Sequence, residues 1–199
     1  MVNFERMTDE ELAMLYIGGD NSAFDELLGR TQEKVFSYIM FVVKDPEVAN
    51  DLFQDTFVKV IVRLQQGRYV NSGKLLFWII RIAHNNVMDW YRKQKNDRII
   101  ELYDAKELSN LAPMTHYGIN REDEYVNEQV HRDVKKLMQL LPPTQREVVY
   151  MRFYQNLSFK EISEITGVSI NTSLGRMRYA LLNMRKMASD HHIELRLEQ

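Results

Sequence analysis

Apolar residues recur at three- and four-residue steps along almost the whole chain, so nearly every segment reads as amphipathic helix. Thr8 to Glu11 has the spacing of a capping box ahead of Leu12, Leu15 and Tyr16, and Gly18-Gly19 stops that short helix. Ser22 is placed to cap a second helix, whose apolar positions are Phe24, Leu27, Leu28, Val35, Ile39 and Val43. Asp45-Pro46 marks a third start: an acid that can accept from free N–H groups, then a proline at the first helical position. Val48, Leu52, Phe53, Phe57, Val60, Ile61 and Leu64 then form one stripe, with Asp51, Asp55, Lys59 and Arg63 off it. After Gly67 and Ser72-Gly73 a fourth helix is expected from about Lys74 to Lys95.

The period fades over residues 99–127, where Asn, Ser, Pro113, Gly118 and the acidic run Glu122 to Glu124 collect. An aperiodic stretch of that length marks a boundary. Helical spacing resumes near Asn127, and Leu137, Leu140 and Leu141 close a helix before Pro142-Pro143. Thr144 to Glu147 and Ser158 to Glu161 both have capping-box spacing. Gly167 interrupts, Ser169 can cap the last helix, and Met177, Leu181, Met184 and Met187 supply that helix with its apolar face. The expected fold is all-α: a small helical domain over residues 1–96, an acidic linker over 97–127, and a second helical domain over 128–199 containing a helix-turn-helix.

Composition supports that reading. Eight Gly and four Pro among 199 residues are about half of average usage, too few for a fold of many strands joined by tight turns. Cysteine is absent, which removes disulfides, thiolate metal sites and cysteine nucleophiles and fits a reducing cytoplasm. Apolar runs such as Tyr38 to Val43 fall far short of the roughly 18 residues that cross a bilayer, so membrane insertion is not expected.

The net charge of -2 hides strong segregation. Lys74 to Arg98 carries six bases against two acids, and Arg146 to Lys186 seven against three. The first 26 residues hold seven acids and one base, and Ile99 to Asp133 eight acids and three bases. Two basic blocks between acidic ones are two candidate anion-binding surfaces.

Each block carries a motif. In the second, a capped short helix, a glycine turn and a second capped helix bearing Arg176, Arg178, Arg185 and Lys186 follow the helix-turn-helix layout, whose second helix enters the major groove. An ordinary helical hairpin with a solvated basic face has the same layout, and the surrounding charge favours DNA. In the first, Trp78 lies within an apolar run and reads as core, whereas Trp90 and Tyr91 are interleaved with Asp89, Arg92, Lys93 and Lys95. Rings that stack on unpaired bases beside cations that follow phosphates suit single-stranded nucleic acid. Aromatic residues at helical spacing that simply belong to the core are the equal alternative for Trp90 and Tyr91. Asp51, Gln54 and Asp55 form an acidic and amide face, which alone is most often just solvated. Glu128 and His131 have the Glu-x-x-His spacing of helical di-iron sites, but such a site needs two of these motifs and further carboxylates. His191-His192 reads as tail. No phosphate-binding glycine loop and no nucleophile elbow occurs.

In this order the segments resemble bacterial RNA polymerase sigma factors of the extracytoplasmic-function type, within the sigma-70 family. The helix at Asp45 to Phe57 is similar to the family's core-polymerase-binding helix. Leu76 to Asn85, continuing through Asp89-Trp-Tyr-Arg-Lys93, resembles its promoter-melting helix. Leu141-Pro-Pro-Thr-Gln-Arg-Glu147 and the helix-turn-helix resemble its C-terminal domain.

The resemblance implies a cytoplasmic initiation factor with no catalytic residue, cofactor or metal. It implies that Asp51, Gln54 and Asp55 dock on the clamp helices of the polymerase β′ subunit, and that the β flap is a further contact. It also implies that Asn85 lies near a flipped base of the minus-10 element, with Trp90 beside the strand and Arg81, Arg92, Lys93 and Lys95 on phosphates or adjoining duplex. The last helix would read the minus-35 element, and an anti-sigma factor is an expected partner.

Departures from the family's recognition helix are Leu174 where a base is usual, Gly175 where a small polar residue is usual, and Tyr179 for a frequent arginine. Base contacts would then fall to Asn171, Thr172, Ser173, Arg176, Arg178 and Tyr179. A mid-helix glycine costs ~1 kcal/mol against alanine, so Gly175 is expected where a backbone or DNA comes close. The rival reading is a helix-turn-helix regulator that binds duplex DNA without polymerase. The aromatic-basic helix in the other domain counts against it.

Overall fold

The computed structural model describes residues 3–97 and 125–190, with the side chains of 95–97 and 125–132 excepted. Among these residues the chain is all helical, and no helix is long and apolar enough to cross a membrane. It divides into two compact units, whose bodies are helices α1–α4 and helices α5, α6 and α8.

In the first unit α1 (Asp9–Ile17) starts on Thr8, whose Oγ1 accepts from Glu11 N–H at 3.2 Å while Glu11 Oε2 accepts from Thr8 N–H at 2.7 Å. This reciprocal pair is the expected capping box. The next helix, α2 (Asn21–Val43), is capped by Asp20, whose Oδ1 accepts from Ser22 N–H at 3.0 Å. Ser22, the expected cap, lies inside the helix. A carboxylate two residues upstream reaches the same free donors and suits the positive end of the helix dipole.

Lys44 closes α2 in the left-handed region (φ 63°), and Asp45 Oδ1 then accepts from Glu47 N–H and Val48 N–H at 2.9 and 3.1 Å to open α3 (Pro46–Gln65). The turn at 67–74 leads to α4 (Leu75–Asp97). Its first N–H is held from across the unit: Leu75 N–H donates to Glu10 Oε1 at 3.0 Å. Leu12, Leu27, Val35, Ile39, Val60, Leu64, Ile79 and Val87 form the buried core of α1–α4. Trp78, expected in that core, is half-buried with its ring 5.1 Å from that of Tyr69.

In the second unit α5 (Tyr125–Leu140) and α6 (Pro143–Phe153) are joined at Leu141-Pro142. The expected capping box at Thr144 is not formed. Helix α6 begins two residues earlier than that cap would place it, at Pro143 with Pro142 as its N-cap, and Arg146 and Glu147 are buried. Proline's fixed φ is preorganised for the first helical position, so Pro143 sets the start before Thr144 can act as a cap.

Ser158 does form its box with Glu161: Oγ accepts from Glu161 N–H at 3.3 Å and Glu161 Oε2 accepts from Ser158 N–H at 2.9 Å, opening α7 (Phe159–Thr166). Gly167 (φ 67°) turns the chain, and Ser169 Oγ accepts from Thr172 N–H at 3.0 Å to open α8 (Ile170–Asp190). Met177, Ala180, Met184 and Met187 face the core of the second unit. Leu181, expected among them, is exposed. The small Ala180 occupies the inward position instead, which lets α6 and α8 pack closely.

Candidate nucleic-acid interface

Helix α4 presents two faces of opposite character. Ile79, Ile80, Ile82, Ala83, His84, Asn86 and Val87 are buried, whereas Arg81, Asn85, Asp89 and Arg92 recur at four-, four- and three-residue steps along the exposed side. The adjacent asparagines therefore part company. Asn85 points to solvent. Asn86 is only 4% exposed, donates from Nδ2 to Thr56 Oγ1 at 2.9 Å, and accepts at Oδ1 from Lys59 Nζ. Thr56 in turn donates to Leu52 carbonyl at 2.6 Å, so a polar chain crosses from α3 to α4 and fixes the rotation of α4 about its axis.

The hydroxyl of Tyr38 lies 3.4 Å from His84 Nδ1 on the same buried side. At the C-terminal half, Tyr91 donates to Val42 carbonyl at 3.0 Å, and the half-buried Trp90 ring stands edge-on to Tyr91 at 4.7 Å. Trp90 is thus fixed at the border of the exposed face. Lys93 is exposed, and Arg92 pairs with Asp89 at 2.7 Å in the open. An exposed pair of this kind contributes at most ~1 kcal/mol, so Arg92 can exchange Asp89 for a phosphate at little cost. The side chain of Lys95 lies outside the described residues.

On α3, Asp51 is exposed, and so are Gln54 and Asp55 one helical turn after it. The structure extends this face with two residues that the sequence pattern did not single out, Val58 and Val62, which are exposed at the next steps. Their signal was the excess of branched apolar residues over what one buried stripe on α3 uses.

On α8, Asn171, Thr172, Arg178 and Tyr179 are exposed and Arg176 is half-buried. Thr172 also belongs to the helix start, its Oγ1 2.8 Å from Ser169 Oγ. Ser173 does not join them. It has no exposed surface, and its Oγ has no hydrogen-bond partner among the described residues. Every third or fourth residue of an amphipathic helix must turn inward, and Ser173 precedes the buried Met177 by one such step.

Burial raises the Tyr154 phenol above its ordinary value. Burial also raises that of Tyr69, with the charge of Glu10 adding to the effect. Among the described residues no cluster of carboxylates and histidines could hold a metal ion. The side chains of Glu128 and His131, and all of His191 and His192, lie outside those residues, as do the linker residues 98–124.

Residues 27–97 match the family described as Sigma-70 region 2, and residues 131–178 match Sigma-70, region 4. The chain belongs to the sigma-70 family. Within it, the chain is similar to the RNA polymerase sigma factor YlaC of Bacillus subtilis, with 28% identity over 176 residues covering 86% of this chain and 97% of the relative. It is also similar to the ECF RNA polymerase sigma factor SigW of Bacillus subtilis, with 24% identity covering 86% and 92%.

The fold is shared with the sigma factor RpoE of Bartonella quintana, solved in complex with the anti-sigma factor NepR (TM-score 0.63, 20% identity, 83% of this chain and 96% of that one). It is shared also with CnrH, solved in complex with the cytosolic domain of CnrY (TM-score 0.62, 20% identity, 92% and 97%). The chain is an alternative sigma factor of the extracytoplasmic-function type, which initiates transcription with RNA polymerase. Region 2 of the family coincides with the helices that carry the exposed faces of α3 and α4, and region 4 with the segment from α5 into α8.

Proposed function

We propose that this sigma factor divides promoter recognition between its two ends and acts by binding alone. Residues 1–96 bind core polymerase and the melted minus-10 element, residues 97–127 act as the connecting linker, and residues 128–199 read the minus-35 duplex. The observation that supports this best is the separation of Asn85 from Asn86. One asparagine is locked between helices, which leaves the other free on a face shared with Arg81 and Arg92. Asn85 is then presented to a base flipped out of the stack, whose unstacking cost of a few kcal/mol must be offset by contacts to its exposed edge. Arg81, Arg92, Lys93 and Lys95 meet phosphates, and Trp90 offers a stacking surface at the border of the same face.

The exposed Asp51, Gln54 and Asp55 dock on the β′ clamp helices, with Val58 and Val62 giving that contact an apolar continuation. The β flap meets the C-terminal domain, where Asn171, Thr172, Arg176, Arg178 and Tyr179 of α8 face the minus-35 duplex; Ser173 is left out because it is buried. An anti-sigma factor is a further proposed partner, since the sigma factor RpoE, which shares the fold, is solved in complex with one. Two weak DNA contacts joined through one chain on one polymerase gain effective concentration, so free DNA binding by the chain alone is expected to be weak.

The test is run-off transcription from promoter DNA selected out of a random library, with core polymerase in the presence and absence of the chain. Initiation that depends on the chain, and loses that dependence with Asn85→Ala, supports the proposal. Selection of a duplex site by the chain alone, with no gain from polymerase, would replace it with a regulator that binds unaided.

A further inference from the structure

Gly175 sits in the interior of α8 with ordinary helical φ, so no left-handed turn requires it. A Cβ built there meets nothing within 4 Å, so among the described residues no packing neighbour requires the glycine either. Glycine in such a position weakens the helix relative to alanine. Its four neighbours on the helix surface, Asn171 and Thr172 one turn before and Arg178 and Tyr179 one turn after, are all exposed, Tyr179 at 62%. Gly175, itself half-buried, therefore leaves a gap at the centre of an outward face whose exposed cation is Arg178.

We propose that Gly175 is a specificity-determining residue for duplex DNA: its missing side chain lets the DNA approach the backbone of α8 directly, deeper than any other residue at that position would allow. The occupant is duplex DNA because the face carries Arg178 with Arg176 at its border, amide and hydroxyl groups at Asn171 and Thr172, and no acidic side chain. The proposal rests on the reading that α8 faces the minus-35 duplex, and it adds that the helix touches DNA where it has no side chain.

The experiment uses the full chain bound to core polymerase and the duplexes that this holoenzyme selects from a random library. Gly175→Ala, Gly175→Ser and Arg178→Ala are compared, with Gly29→Ala as the control. Gly29 is likewise a mid-helix glycine, in α2, with nothing within 4 Å of a built Cβ. Gly175→Ala and Gly29→Ala are both expected to raise the melting temperature, by about 2–4 °C. Of the glycine variants only those at Gly175 should lose duplex affinity, by about tenfold, and Arg178→Ala should lose affinity as well. Full affinity of Gly175→Ala alongside weakened Arg178→Ala would overturn the proposal while leaving α8 on the DNA. Full affinity of both would remove α8 from the DNA and the proposal with it.

Discussion

Asn86 donates to Thr56 Oγ1 at 2.9 Å, a buried bond that ties the centre of α4 to α3. Because Asn86 also accepts from Lys59, its removal leaves a buried hydroxyl and an ammonium without their shared partner. Loss of a buried polar partner of this kind costs ~1–3 kcal/mol. Asn86→Ala is therefore expected to lower stability in urea unfolding by about that amount. Asn85→Ala, one residue away and exposed, should leave stability within ~0.5 kcal/mol. Promoter opening should show the reverse order when each is assayed at a temperature where both variants are folded. Equal effects of the two on stability would mean that the buried link does not fix α4.

How much of this was legible in the sequence divides along physical lines. Long amphipathic stripes located α2, α3 and α4, because burying an apolar face on a 3.6-residue period dominates where a helix can form. The capping boxes at Thr8 and Ser158 were legible for the same local reason, each being closed by residues three apart. The starts at Asp20 and Pro143 were not, since two or three adjacent residues can each serve and the choice depends on which one has extended φ and ψ. The pairs Asn85/Asn86 and Ala180/Leu181 were opaque too. A step of one residue turns a helix by about 100°, and the exact phase of the buried face is set by packing partners distant in sequence. Ser173 shows the same effect: its residue type suits DNA, but its phase on α8 points inward.

Glu10 Oε1 accepts from Leu75 N–H at 3.0 Å, so α1 caps the helix that carries the proposed minus-10 face. A carboxylate at a helix N-terminus satisfies a free donor and meets the positive end of the dipole. Glu10→Ala is expected to cost ~1 kcal/mol of stability. It should also raise amide exchange in the first turn of α4 above that in its centre. Glu10→Gln, which keeps an accepting oxygen, should retain about half of the effect or more. Exchange that rises uniformly along α4 would show that the contact stabilises the unit as a whole without capping this helix.

Asp51 and Gln54 are exposed and take no part in the core, so their truncation tests polymerase binding without a folding artefact. The double variant Asp51→Ala, Gln54→Ala should melt within about 2 °C of the native chain and bind core polymerase more weakly. Val58→Asp, further along the same exposed face, should weaken it as well, because a charge placed in an apolar contact is desolvated without a partner. Native affinity in both variants, measured by competition with a labelled sigma factor, would move the polymerase interface off this face of α3.

Ser173 and Arg178 make opposite predictions from one helix. Ser173 Oγ is buried with no partner among the described residues, so Ser173→Ala removes an unsatisfied hydroxyl and leaves little cavity. Stability should stay level or rise by up to ~1 kcal/mol, and duplex affinity should not change. Arg178 is exposed, and Arg178→Ala should leave stability level while lowering affinity for every duplex tried. A cation that neutralises one phosphate contributes about one unit to the slope of log affinity against log salt, and the variant should lose that unit. Arg176, half-buried beside Met177, should lose the same unit only if its guanidinium reaches the DNA. A slope that falls for Arg178→Ala and holds for Arg176→Ala would place the phosphate contact on the outer face of α8. A slope unchanged in both would mean that these arginines neutralise no phosphate, and the basic character of this helix would need another partner to explain it.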